Sequence, residues 1–399
     1  MEAVGRKVPP NLHILRLTFF FFATGMALFV AMMIAAVWWK PDLAQFQSVR
    51  LPKGWTLAHG LVLGFATTVA MGASYQITQV ILRTSLFSRR LGYIHYGFYT
   101  LGLVGLLIGF FAGGRGIAAG GCCLAVGAVL YVWNLAATFI RKKEWNLFVF
   151  GVSLCLLELL STFFLGIAMG LGMVYGWGSA HYGKMLASHL WFGVGGWLSG
   201  LILVYSFKLL PMFYVSRKKL TSSAFWIVGL FHLGIGLQAA ALWSGAKPVS
   251  VMASLVLLVA WGWFVAYLFG VRRLSTGKQP VGAVRVPFYL IPAVGLLFLI
   301  RCVLSWAGSP VPRADEALVI AVILGWFAPS ILGYLSKILP FLWWAHRFRD
   351  GPAKKKAPLL SEMLPENRLA GELCVYLAGI AAVVAGYLWQ SAVLAFIGQ

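Results

Sequence analysis

Apolar runs long enough to cross a bilayer recur along nearly the whole of this chain, and that recurrence decides its fold class. A hydrocarbon core about 30 Å thick is spanned by roughly 20 helical residues. Hydrophobic residues fill 61% of the 399 positions and charged ones only 11%, so polar residues are left mainly to short connections. Backbone groups left unpaired in lipid are too costly to keep, so the runs must be helices; barrel strands would instead alternate in short segments. The chain therefore reads as all-α, a polytopic membrane helix bundle forming one transmembrane domain over 1–399. About eleven spans are expected, near 13–39, 56–84, 90–112, 116–140, 146–176, 181–214, 222–244, 249–271, 285–307, 316–345 and 370–397.

The formal net charge of +22 invites a nucleic-acid partner, but its distribution points to no nucleic acid and to a lipid bilayer. Basic residues gather in alternate connections: Arg6 and Lys7; Arg89 and Arg90; Arg141 to Lys143; Arg217 to Lys219; Arg272, Arg273 and Lys278; Arg347 to Lys356. The other loops are poorer in positive charge, although Lys40, Arg50 and Lys53 blur the first. The positive-inside rule then makes the N-terminus cytoplasmic, and an odd span count puts Gln399 outside. The expected location is the cytoplasmic (inner) membrane of a prokaryote. Leu12 to Trp39 is long enough to span and lacks a small-residue cleavage site, so it reads as a first helix and not as a cleaved signal. Segment 348–369 is the one long polar connection, expected as a cytoplasmic loop. Cys122, Cys123, Cys155, Cys302 and Cys374 all fall in apolar segments, with no CxxC or CxxCH spacing, and read as packing residues.

Within this apolar background one signature occurs three times. Gly64-Phe65 is followed twelve residues after the glycine by Gln76-Ile77, with Gln79 three later. Gly196-Trp197 leads by the same spacing to Lys208-Leu209 and Pro211, and Gly325-Trp326 to Lys337-Ile338 and Pro340. The copies lie 132 and 129 residues apart, in spans two, six and ten, all running the same way. Three repeats of about four helices, marked by 56–84, 181–214 and 316–345, are the expected organisation. Lys208 and Lys337 sit where they can snorkel to headgroups.

Seven histidines can be weighed one by one. His13 and His346 lie at span ends, and His181 at a helix start. His59, His95, His189 and His232 lie inside spans, where a polar group is a functional candidate unless a neighbouring carbonyl satisfies it. His59 precedes Gln79 by 20 residues and His189 precedes Pro211 by 22, which sets both toward the outer side at similar height. His232 is near mid-membrane. His95 is roughly 20–30 Å from the depth of His59 at about 1.5 Å per residue, too far for a shared iron. His59, His189 and His232 are therefore the metal-ligating candidates, although their registers against the signature differ by two residues for His59 and His189.

Gly60 and Gly64 follow His59, and Gly193, Gly195, Gly196 and Gly200 follow His189. A haem plane against a helix needs a face without side chains, and imidazole is the usual axial ligand of b-type haem; close helix packing uses the same glycines. The cofactor expected is haem b on His59 and His189, with a five-coordinate haem on one of them as the fallback. Copper on His189 and His232 would have two nitrogen ligands only. Glu158, midway through span five, is a proton-path candidate or a neutral acid bonded to a neighbouring helix. Arg301, in the outer third of span nine, either pairs with haem propionates as part of the cofactor-binding set or snorkels outward.

Three helix groups, a cytoplasmic N-terminus, His59 on the outer side of span two, and His189 and His232 in spans six and seven resemble subunit I of the haem-copper oxidases and nitric oxide reductases. A fainter likeness is to NnrS-type haem-and-copper membrane proteins. The resemblance covers most of the chain in layout and a few residues in detail. It implies that His59 matches the span-two ligand of the low-spin haem, and that His189 and His232 match the copper-holding positions. It also implies electron transfer, or binding of nitric oxide or oxygen, inside a respiratory complex with partner subunits and cytochrome c or quinol as donor. The departures are specific. The family carries two histidines in span ten, whereas Leu318 to Pro340 holds none; Gly193 stands where many oxidases place a tyrosine; span seven has one histidine; and eleven spans are expected against twelve. Four-electron oxygen reduction does not follow from such a set. The alternatives are a non-catalytic subunit or assembly factor with a degenerate site, and a transporter of copper or a small solute. Transport is weakened because the copies run in one direction, where transporter repeats are commonly inverted.

Overall fold

A computed structural model describes residues 15–39, 51–276, 282–308, 311–348 and 357–389. His13, the basic residues 6, 7, 40, 50, 278, 349 and 354–356, and the end of the chain at Gln399 lie outside the described residues. The described residues are 87% helical, with no strand among them. Among the described residues, eleven helices are long and apolar enough to cross a membrane: α1 (Leu15–Trp38), α2 (Pro52–Leu82), α3 (Arg89–Ala112), α4 (Gly116–Lys142), α5 (Leu147–Tyr175), α6 (Ser179–Phe213), α7 (Ser223–Ser244), α8 (Lys247–Arg273), α9 (Arg285–Trp306), α10 (Ala314–Phe348) and α11 (Glu366–Trp389). The protein is thus an all-α polytopic bundle.

Local chemistry sets several of the ends. Ser88 caps α3 by accepting from the Leu91 N–H (3.1 Å), and Asn146 caps α5 by accepting from that of Val149 (3.1 Å). Gly176 takes φ +75 at the end of α5, a left-handed stop that side chains resist. Pro52 opens α2, where its missing N–H costs nothing.

Burial ranks the helices. The most apolar stretch of α2 is 72% buried and that of α6 67%, against 17% for α1 and α9. The signature-bearing helices α2 and α6 are therefore interior, and α1 and α9 present most of their surface to lipid. Where no hydrophobic force separates helix from lipid, close backbone approach drives association. Between α3 and α4 it is extreme: a Cβ on Gly102 would lie 2.2 Å from the Leu124 nitrogen, and one on Gly120 2.2 Å from that of Leu106.

Three interior helices share an irregularity. In α2, α6 and α10 the hydrogen bonding widens to π-helical turns over Gly60–Thr67, Trp191–Ser199 and Ile323–Phe327. Each turn contains the Gly-aromatic pair of the signature. Such turns are costly and rare, and are found mostly where function or tight packing holds them.

Candidate functional site

His59 stands on α2 just before its π turn, and His189 on α6 just before the equivalent one. Their ring centres lie 6.3 Å apart with the planes inclined by 35°. Each ring is fixed through Nδ1. That of His59 donates to the Trp55 carbonyl of its own helix (2.8 Å), and that of His189 to the Thr162 carbonyl of α5 (2.9 Å). A neutral imidazole that donates from Nδ1 keeps a lone pair at Nε2. Neither Nε2 has a hydrogen-bond partner among the described residues, and both rings are half-buried. Phe110 of α3 lies against His59, with ring centres 4.6 Å apart. On the other side His189 fits over Gly166 of α5, where a Cβ would be 3.1 Å from its Cε1. An open groove of about 380 Å³ lies between α5, α6 and α7, lined in part by Ser188, Phe192 and Trp243; neither His59 nor His189 is among its lining residues.

This pair can be tested against an iron. An imidazole nitrogen sits about 2 Å from a bound metal, and the ring centre lies about 1 Å further along that line. Two imidazoles on one metal therefore put their centres about 6 Å apart, the separation found here. The carbonyl on each Nδ1 is the second partner that metal-bound histidines ordinarily have. The donor pair fits.

The glycines do not form the flat cradle expected of them. A Cβ on Gly60 would meet the sulfur of Met32 at 2.2 Å, and one on Gly64 would meet Leu28 at 3.1 Å, both from α1. Gly193 receives Thr162 of α5 at 2.9 Å, and Gly195 receives Ile235 of α7 at 2.9 Å. Gly196 receives the Glu158 carboxyl at 2.3 Å; Gly200 receives His232 at 2.7 Å and Cys155 at 2.9 Å. They are seats for neighbouring side chains.

His232 is not brought to the histidine pair. Its Nδ1 bonds Glu158 Oε2 at 2.8 Å, and its Nε2 faces Cys155 Sγ at 3.8 Å. Both ring nitrogens are thus engaged, at side-chain exposures of 4% for His232 and 10% for Glu158. Glu158 is a paired acid in the bundle interior. No cluster of three or more His, Cys, Asp or Glu that could hold a metal exists among the described residues. Arg301 bonds Asp315 Oδ1 at 2.8 Å and ties α9 to the first turn of α10. Its partner is that carboxylate. His95, set deep among Phe21, Tyr75, Tyr99 and Tyr131, bonds Tyr75 through Nδ1 (3.0 Å) and is remote in role from the pair.

Sequence reading missed three participants. Cys155 and Thr162 stand three before and four after Glu158, and Trp55 four before His59, all one helical turn away and so on the same face. That spacing is the signal that would have found them. No family model and no curated protein matches the chain. What fold and site define is a class, a polytopic helical membrane protein with a pair of carbonyl-anchored imidazoles whose ring centres lie 6.3 Å apart.

Proposed function

We propose that the chain holds one b-type haem between α2 and α6, with His59 and His189 as axial ligands, and that it transfers single electrons within the membrane. The observation that carries this reading is the 6.3 Å separation of two imidazoles whose Nδ1 atoms are both anchored on carbonyls. Haem suits a site with two protein ligands because the porphyrin supplies the other four nitrogens, and it brings one-electron chemistry when bound. The chain's part is orientation. The Trp55 and Thr162 carbonyls fix tautomer and ring plane, while Phe110 and the surrounding apolar helices keep water away. Both histidines would be taken up in holding the group, which favours electron transfer over binding of nitric oxide or oxygen.

The loop charges support a cytoplasmic N-terminus and hence a site in the outer half of a prokaryotic inner membrane. An electron partner there would be a cytochrome c or a quinol, in a respiratory complex.

A second reading, a non-catalytic subunit or assembly factor whose site has decayed, is favoured by the filled glycine seats. Absorption spectroscopy separates the two. The purified protein is expected to show a Soret band and a b-type pyridine haemochrome. His59→Ala and His189→Ala should each abolish or shift the band while the melting temperature in detergent stays within a few degrees. A colourless, metal-free wild type, or a wild-type spectrum in both variants, sinks the ligand assignment.

A further inference from the structure

An apolar cavity of about 60 Å³ lies where α2, α6 and α10 converge, apart from the histidine pair. Its walls are in register. Ala70, Ile202 and Ile331 stand at the same distance from their Gly-aromatic pairs, and all three keep partial exposure although they lie on interior helices. Ala73, Tyr205 and Tyr334 form the next matched level. The two tyrosine hydroxyls are the polar groups nearest the cavity, and both are already engaged: Tyr205 with Ser74 of α2 (2.5 Å) and Tyr334 with Ser206 of α6 (2.8 Å).

A water needs two to four polar partners and about 10–15 Å³ of such space. The cavity has room for a few waters but offers them almost nothing to bond. Cavities of this kind stay dry and accept small apolar solutes. The recess is partly open, and an aromatic ring system exceeds its volume, which favours smaller guests. From these facts we infer that the junction of α2, α6 and α10 is a binding site for small apolar gas molecules dissolved in the bilayer, of the size of dioxygen, nitric oxide or xenon.

Xenon is the probe. In crystals of the full chain pressurised with xenon, an anomalous peak is expected between Ala70, Ile202 and Ile331. Ala70→Leu fills that level and should abolish the peak with no fall in melting temperature. Should that variant fail to fold, Ile202→Val enlarges the space, and its peak should be stronger than that of the wild type. Xenon found only on lipid-facing surfaces overturns the inference. So does ordered water or lipid density in the cavity, or a peak that Ala70→Leu leaves unchanged.

Discussion

At the level of single residues, the buried acid is the most instructive. Glu158 lies against Gly196 and is held by His232, whose other ring nitrogen faces Cys155. Gly196 belongs to the repeated signature, yet its lack of a side chain is what leaves room for a carboxyl group from another helix. Gly196→Ala would put a methyl 2.3 Å from that carboxyl. The acid then has to leave His232 or the helices have to part, so a loss of about 1–3 kcal/mol is expected. Gly262→Ala on α8 meets nothing within 4 Å and should leave stability unchanged. Thermal unfolding of both variants in one detergent checks the contrast; equal melting temperatures would show that the carboxyl is free to move. The sequence made Glu158 and the glycines visible separately. Their contact was not legible, because helical spacing says which residues share a face but not which helix that face meets.

At the level of the helix, two contacts between α2 and α6 share an offset of two residues. Trp197 donates from Nε1 to Thr67 Oγ1 (3.1 Å), and Trp197 corresponds through the signature to Phe65, two positions before Thr67. His189 corresponds to position 57, again two before His59. The two-residue difference in register between His59 and His189 is therefore the offset that the Trp197–Thr67 contact also uses. Where repeats follow one another around an axis, each contact is heterologous and joins non-equivalent residues. Equal register would have kept the imidazoles apart. The π turns were also invisible in the sequence, since composition does not distinguish an i→i+5 turn from an α turn. Thr67→Val should strand a fully buried indole N–H and cost about 1–3 kcal/mol. Trp197→Phe in the Thr67→Val background removes the stranded donor, so the double variant should lose less than the two single losses together. Strict additivity in a chemical-denaturation cycle would mean the bond contributes nothing.

At the level of the whole molecule, an offset of one residue is shared by the α2–α6 and α6–α10 junctions. Tyr205 bonds Ser74 and Tyr334 bonds Ser206, both one position off equivalence. Tyr131 of α4 meets Trp197 edge-on at 82°, and Trp261 of α8 meets Trp326 of α10 edge-on at 81°. These matched contacts let the α6–α10 junction be read from the α2–α6 junction. The counterpart of His59 is Trp191, and that of His189 is Leu318, so the second junction is apolar where the first carries imidazoles. Trp191 already leans toward the following helices, with its ring 6.1 Å from Phe298 of α9. A double variant Trp191→Cys/Leu318→Cys is therefore expected to cross-link through a short bifunctional thiol reagent. Trp191→Cys/Ile320→Cys joins fully equivalent positions and should link far less, with the single variants reporting the background from the five native cysteines. Equal yields in the two pairs would mean that the shared signature does not impose a shared geometry. The histidine pair would then owe its position to α5 and the Thr162 carbonyl alone, not to the packing of one repeat against the next.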